Sequence, residues 1–458
     1  MQKLLSTKKM LLGYVLLALL VLQPTSFFGQ KRSSSNKSNS MNINNKNGKS
    51  TIQFNDNGKN FKIEYEGEIK VSNDDKDIIA ISKGGFIDIT KSSFGNKRRV
   101  VIESDRSGNL IRKYYEGRTE KEYNPDGKSW LAEILPEIVR STTIGAESRV
   151  ERFFNNGGAS AVLNEIQKMD SDYVKAAYFK LLLGHNLSTN ELTSLLDKAG
   201  SEIESDHYLS SILKENQKAF LANSQTISAY INASKSIKSD HYITSVLKTV
   251  INDSSINDSQ MESLLDISKS VESDHYLTQI LTEVMDHRDL NAQNIAKIIG
   301  LSKAIESDHY KTQVLKKVIQ SKGMPQNAYD AFLATLNDVK SDHYISLIIS
   351  ELFENKYDAS TNSLNGILDI IERNIESGHY ASTIYKKMAK NNDLSESQLI
   401  AVLNATTKIN SGHYLSETLI AFSSQVKRSS EKVKSAYRAA AKSINSDTYY
   451  GRAVKAID

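Results

Sequence analysis

Apolar and polar positions change rhythm along this chain, and each rhythm predicts a different element. Between residues 51 and 127 the runs “IQF”, “FKIEYEGEIKV”, “DIIAIS”, “GFIDIT”, “RRVVIES” and “NLIRKYYEG” alternate, in part, between apolar and polar residues. Side chains on a strand point to opposite faces in turn, so a period of two predicts half-buried strands. Turn pairs separate the runs: Asn57-Gly58, Gly84-Gly85, Gly95-Asn96, Ser107-Gly108 and Glu116-Gly117. A turn about every ten residues predicts a small antiparallel meander, closed by the “NPDG” turn at 124–127.

The period then becomes helical. “SWLAEILPEIV” places Trp130, Leu131, Ile134 and Leu135 on one face, and Pro136 predicts a boundary or a kink. Trp130, the single tryptophan, is expected as a packing anchor. A break at Gly157-Gly158 divides the following helical stretch, and residues 128–170 read as a helical cap.

From residue 171 the pattern repeats. A “SDHY”-like joint recurs at Ser171, Ser205, Ser239, Ser273, Ser307, Ser341, Ser377, Ser411 and Ser446. The steps are 34 residues, apart from 36 between Ser341 and Ser377 and 35 before Ser446. After each joint an apolar stripe follows helical spacing, as in Tyr276, Leu277, Ile280, Leu281 and Val284. A second helix begins after a polar loop, with cap signals such as “STNE” at 188–191 and “NDSQ” at 257–260. An aliphatic residue stands two positions before each Ser: Met169, Ile203, Ile237, Val271, Ile305, Val339, Ile375, Ile409 and Ile444. Stacked units would bury these as one ladder.

The predicted fold is therefore multidomain α+β. A small antiparallel β-domain (51–127) and the cap precede an α-solenoid (171–458) of about nine 34-residue helix–turn–helix repeats, HEAT/TPR-like in period. At the joint, the Ser hydroxyl can accept a bond from the helix start while Asp suits the positive end of the dipole, or Asp can be the cap itself. The pattern leaves both open. Asp becomes Gly at Gly378 and Gly412.

Composition changes the picture mainly at the N-terminus. Lys3, Lys8 and Lys9 precede an apolar run from Met10 to Leu22, the form of an export signal and short for a bilayer span of roughly 20 residues. Cleavage near Gly29 gives a signal peptide of 1–29; retention would leave an anchor. Residues 30–50 are almost wholly Ser, Asn and Lys and read as a disordered linker. The whole chain carries +4 and its first 50 residues contribute +8, leaving −4 for 51–458. A mildly acidic folded part lacks the basic face that nucleic acid requires. With no cysteine, disulfides, zinc-thiolate sites and thiol catalysis are excluded.

The joint contains Ser, Asp and His, which invites a chemical reading. His207, His241, His275, His309, His343, His379 and His413 recur at one slot. Helices stack about 8–10 Å apart, whereas two imidazoles sharing zinc must each come within about 2.1 Å of it, so a parallel ladder does not share a metal. Neighbouring residues at a helix start also diverge too far for a hydrolytic triad. HExxH, P-loop, GxSxG and dinucleotide-glycine motifs are absent. No catalytic residue, metal or cofactor is implied. The expected role of the histidines is structural, each bonding to backbone or loop of the neighbouring unit, or contact with a partner. Tyr208, Tyr242, Tyr276, Tyr310, Tyr344, Tyr380, Tyr414 and Tyr449 are expected in the core. The nine joint serines are expected as structural helix caps.

From “WLAEILPEIVR” through “GAESRVERFFNNGGASAVLNEI” to the “SDY” and “SDHY” units, the chain resembles exported, Bacteroidetes-like bacterial proteins with HEAT-like repeats. Similar repeats stand beside membrane metallopeptidases of the β-lactam-sensor type, whose HExxH motif this chain lacks. The expectation is a non-enzymatic periplasmic, cell-envelope or secreted scaffold that binds a protein or peptide through its solenoid surface. The resemblance also implies an alternative, a sensor or regulatory module acting with an envelope peptidase or signal transducer.

Overall fold

The computed structural model describes residues 41–46, 48–56, 59–93, 95–253, 256–287, 289–321, 328–355, 361–391 and 394–458. The expected export signal lies outside the described residues, as do residues 30–40 of the expected linker and the Asn57-Gly58 turn. Two compact units emerge, one of Met1–Glu68 and Ala80–Ser129, the other of Ile69–Ile79 and Trp130–Asp458.

Strands β1 (Met41–Lys46), β2 (Lys49–Asp56), β3 (Lys59–Glu66), β4 (Ile69–Val71), β5 (Ile78–Ile81), β6 (Phe86–Ser93), β7 (Asn96–Ser104), β8 (Leu110–Glu116) and β9 (Thr119–Lys121) follow one another in the chain. Seven make one antiparallel sheet in the order β1-β2-β3-β6-β7-β8-β9, and β4 and β5 form a separate ribbon. The meander is thus as expected, with two corrections. It begins at Met41, inside the segment expected as linker: Ile43 lies opposite Ile52, so the polar tail gains ladder bonds and a cross-strand partner. It also omits the excursion Ile69–Ile79, which belongs to the helical unit.

Register explains the buried face of the sheet. Ile52, Ile63, Ile89, Val100 and Tyr114 are successive cross-strand partners, and all five are buried. Beside them Phe54 stacks on Phe61 at 4.6 Å between centroids. On the opposite face Arg99 grips Asp88 through Nε at 2.9 Å and Nη2 at 2.6 Å. There too Glu64 meets Lys49 at 2.5 Å and Lys62 at 2.6 Å. These two bonds lower the Glu64 pKa from its ordinary value to about 2. A depressed carboxyl contributes stability above its unfolded value and loses it as pH falls towards the folded one. We expect Glu64→Gln to flatten the loss of stability between about pH 4.5 and pH 2, checked by acid titration of thermal melts on both proteins.

The sheet ends where expected, at the 124–127 turn. A Cβ on Gly127 would lie 2.7 Å from that of Tyr114, so only glycine fits there.

The helices are α1 (Lys128–Ser141), α2 (Ala146–Ile166), α3 (Asp172–Leu183), α4 (Thr189–Glu202), α5 (Asp206–Glu215), α6 (Gln217–Phe220) and α7 (Ser224–Ser234). They continue with α8 (Asp240–Ile251), α9 (Asp258–Ile267), α10 (Asp274–His287), α11 (Ala292–Ser302), α12 (Asp308–Gln320), α13 (Tyr329–Asn337) and α14 (Asp342–Glu354). The last are α15 (Thr361–Asn374), α16 (Gly378–Asn391), α17 (Glu396–Thr406), α18 (Gly412–Lys427), α19 (Glu431–Ala441) and α20 (Asp447–Lys455). Pro136 lies within α1, which continues through it. The expected break in α2 is real: Gly157 and Gly158 leave helical geometry, Gly158 at φ 63°.

Two layers follow from the repeat. The motif helices α3, α5, α8, α10, α12, α14, α16, α18 and α20 each pack on the next, and α2, α4, α7, α9, α11, α13, α15, α17 and α19 do likewise. The aliphatic ladder lies between the layers, buried from Met169 to Ile444 except for half-buried Ile375. Capping boxes at Ser188/Glu191 and Asn257/Gln260 start α4 and α9 as their sequences require, and Ser395/Gln398 starts α17 in the same way.

Candidate functional site

The joint is built differently from the simplest reading of its sequence. Ser171, Ser205, Ser239, Ser307, Ser341, Ser411 and Ser446 occupy the N-cap position, with extended backbone. Of these hydroxyls only that of Ser411 accepts a cap bond, from the Tyr414 N–H at 3.5 Å. Ser273 and Ser377 directly precede α10 and α16. The joint Asp does the capping, and it does so one unit further on. Asp172 accepts from the backbone N–H groups of Glu204 (3.1 Å) and Ser205 (2.7 Å). Asp206 accepts likewise from Lys238 and Ser239, and Asp240 from Ser273. Asp274 serves Glu306 and Ser307, Asp308 serves Lys340 and Ser341, and Asp342 serves Glu376 and Ser377. Each carboxylate sits in the first turn of its own helix and reaches the start of the next, where two positive dipole ends meet.

Gly378 and Gly412 break the series. A Cβ at Gly378 would lie 3.3 Å from Ile409 Cγ2, so the following unit lies close against this glycine. Gly378 stands where a carboxylate would reach Ser411, and Ser411 is the serine whose hydroxyl turns in to cap its own helix.

The histidines are all exposed and the motif tyrosines half-buried, packed against the core rather than inside it. Each motif His is steeply inclined to the Tyr that follows it, by 66° at 5.1 Å for His207 and Tyr208 and by 56° for His413 and Tyr414. It also reaches the Tyr of the next unit, at 5.9 Å for His207 and Tyr242. The pattern holds through His241, His275, His309, His343 and His379 to His413, which lies 5.3 Å from Tyr449. Tyr173 begins the row, 6.1 Å from Tyr208. The result is a continuous ridge in which tyrosine and histidine rings alternate from unit to unit. His207 Nδ1 and His241 Nδ1 lie 3.2 Å from the hydroxyls of Tyr242 and Tyr276, so these histidines bond to a neighbouring side chain rather than to the backbone or loop expected.

Beside this constant spine runs a variable column four residues on: Ser211, Ser245, Gln279, Gln313, Leu347, Thr383 and Glu417. Gln279 and Gln313 place Nε2 at 2.9 and 2.8 Å from Nε2 of His275 and His309. Leu347 is one of the few large apolar side chains exposed in the helical unit. Further along the motif helices, charges pair across units, as in Lys248–Glu283 at 2.8 Å and Lys316–Glu351 at 3.0 Å.

A second cluster was not anticipated. Arg149 is fully buried and donates to Asp75 Oδ2 (2.9 Å), Glu165 Oε1 (2.7 Å), the Val139 carbonyl (3.1 Å) and the Tyr178 hydroxyl. Arg152 adds bonds to Asp75 Oδ1 (2.7 Å) and the Ser72 carbonyl (2.6 Å). Asp75 sits at φ 57°, the single non-glycine positive φ among the described residues. Its carboxylate thereby ties the Ile69–Ile79 excursion into the helical unit. Burial alone would lower the Arg149 pKa, but Tyr178, Asp75 and Glu165 outweigh it, so its pKa rises and the group stays charged. Burial likewise opposes ionisation of Glu165, and its bonds to Arg140 and Lys168 and the Arg149 charge bring its pKa below the ordinary value. The sequence signal was “SRVERFF”, two arginines three apart in an otherwise amphipathic helix.

Among the described residues no group of three or more His, Asp or Glu side chains is placed to hold a metal ion, and no helix is long and apolar enough to cross a membrane. Open grooves indent the surface of the described residues, two of them in the helical unit. One is lined by Ser160, Asn164, Asp197 and Lys198, the other by Lys269, Leu277, Lys297 and Ala304. No protein-family model matches the sequence, and no curated protein sequence does. Among solved structures, one similar chain is described as “Computational Design of Self-Assembling Cyclic Protein Homooligomers”. It is 8% identical, the match covers 68% of this chain and 97% of that one, and the TM-score is 0.11. A TM-score of this size carries no argument.

Proposed function

We propose that this chain is a non-enzymatic, exported binding protein of the cell envelope or its surroundings. Its helical region is a solenoid of about nine 34-residue HEAT/TPR-like units, and its ridge of His and Tyr engages a protein or peptide partner. One observation carries the reading: the seven histidines are exposed, in register, and flanked by a column that varies while they do not. The aliphatic ladder and, in six units, the Asp contacts serve stacking; a constant exposed imidazole beside a changing neighbour is the layout of a recognition face. Export rests on the basic and then apolar N-terminal sequence.

A photo-crosslinking residue placed at His309 tests this, with a second one at exposed Lys235 on the other layer. In envelope preparations we expect a discrete adduct from position 309 that disappears when His275 and His343 are changed to Ala. Adducts of equal strength from both positions, or none from 309, would overturn the proposal.

A further inference from the structure

We infer that α20 is a strap that opens on its own: it leaves the stack while the other motif helices stay packed, and so bares the face of α18 beneath it. The reason lies in how successive motif helices are tied. From α3 to α16 each of the six joints carries two side-chain ties. One is the Asp carboxylate at the joint. The other lies further along the helices and starts from a lysine, as in Lys180–Glu215 at 3.2 Å and Lys316–Glu351 at 3.0 Å. An exposed ion pair contributes little by itself, whereas bonds to a charged carboxylate are the stronger kind. Between α16 and α18 the first tie is gone, because Gly378 stands in place of Asp, and the lysine tie Lys386–Glu417 remains at 2.5 Å. Between α18 and α20 neither is found among the described residues. Gly412 replaces the Asp, and Ile420, 38% exposed, holds the place from which Lys180, Lys214, Lys248, Lys316 and Lys386 reach across.

What holds α20 instead is slight. The Ser416 hydroxyl donates to the Tyr449 carbonyl at 2.9 Å, and the Tyr437 hydroxyl of α19 to the Ala453 carbonyl at 2.8 Å. Both are bonds between neutral groups, the weaker kind. Ala453 is the one side chain that α20 buries within its length, against six for α18 and six for α8. A place at the end of the described stack accounts for the open outer face of α20, but not for the missing ties on its inner one. Gly451 weakens the helix itself, since a glycine in a helix interior costs stability relative to alanine. An added Cβ there meets nothing within 4 Å, so no packing demands the glycine. Nine residues make too short a helix to persist once detached, so release and unfolding of α20 are one event. Release uncovers Ser416, now 2% exposed, and with it the apolar turn of α18 that also carries Leu415 and Leu419. That face is closed or open according to the state of one short segment.

The chain has no cysteine, so Ser416→Cys places a single thiol beneath α20, and Ser346→Cys places one in the equivalent buried slot of α14. Labelling of each full-length protein with a maleimide probe in native buffer measures how often the slot is uncovered. We expect position 416 to label at least about tenfold faster than position 346. Adding Gly412→Asp supplies a carboxylate at the missing joint, where a Cβ meets Ile444 Cγ2 at 3.4 Å, an ordinary contact. It should slow labelling at 416 about tenfold, the effect of one bond to a charged group. Because Ser416→Cys itself removes a bond to α20, hydrogen exchange of the unsubstituted chain is read alongside. The α20 amides should exchange together and at least about tenfold faster than those of α12 and α18. Gly451→Ala should slow them about two- to fivefold. Equal labelling at 416 and 346, or α20 amides as protected as those of α18, would overturn the inference. So would opening rates that neither Gly412→Asp nor Gly451→Ala changes.

Discussion

Replacing Arg149 with Met should lower the unfolding free energy by about 3–5 kcal/mol, the cost of stranding buried charges when one partner is removed. The guanidinium is the single donor set shared by Asp75 and Glu165, and both carboxylates are buried beside it. Without it, Asp75 keeps Arg152 and Glu165 keeps Arg140 and Lys168. The loss therefore comes mainly from the centre of the cluster, where the Arg149 side chain is fully buried. Urea denaturation followed by Trp130 fluorescence measures it, since Trp130 is buried at the start of the same unit. Adding Asp75→Asn and Glu165→Gln to Arg149→Met should recover a large part of the loss, because the charges left behind are then gone. A drop of less than about 1 kcal/mol in the single variant would mean that the cluster is solvated and does not hold the excursion. The lowered Glu165 pKa sets the pH dependence: its contribution is present above the ordinary carboxyl range and fades as pH falls through the lower folded value.

The second large effect separates the two residues of the joint. Asp274→Ala should cost about 2 kcal/mol, within the range for hydrogen bonds to a charged group. It removes the acceptor for the N–H groups of Glu306 and Ser307 at 3.0 and 2.7 Å. Ser307→Ala should change stability by less than about 0.5 kcal/mol, because the Ser307 hydroxyl makes no cap bond. Paired thermal and urea melts decide the matter. The reverse order of sensitivities would return the cap to serine.

That reversal shows where sequence reading reached its limit. Helix starts, their 34-residue period, the aliphatic ladder and two capping boxes were legible because each depends on residues within a few positions of one another. Whether Ser or Asp closes the joint was not, because the bond spans about one whole unit and joins a side chain to a backbone that any residue could supply. The Arg149 cluster is harder still. Its members, at 75, 149, 165 and 178, share no spacing, and Asp75 lies in a turn that looked like part of the sheet. The N-terminal strand was hidden for the opposite reason: Met41–Lys46 is polar enough to read as linker and is held by pairing with β2. The histidines were conspicuous in the sequence, yet only three dimensions show that each lies between two tyrosines.

The Asp contact also gives the stack a direction, since each of the six units that begin at Ser171 to Ser341 carries the acceptor for its successor. Such head-to-tail joints leave an unused acceptor or donor at each end unless the rotation per step closes a ring. A tandem duplication would arrive with both halves of its junctions already made, so the region can gain or lose members in whole steps without new side chains evolving first. The longer step from Ser341 to Ser377 shows how much slack this allows. Two additional residues have been absorbed there, and Asp342 still meets the Ser377 N–H at 2.7 Å. Inheritance can thus edit the length of the protein while leaving its grammar intact.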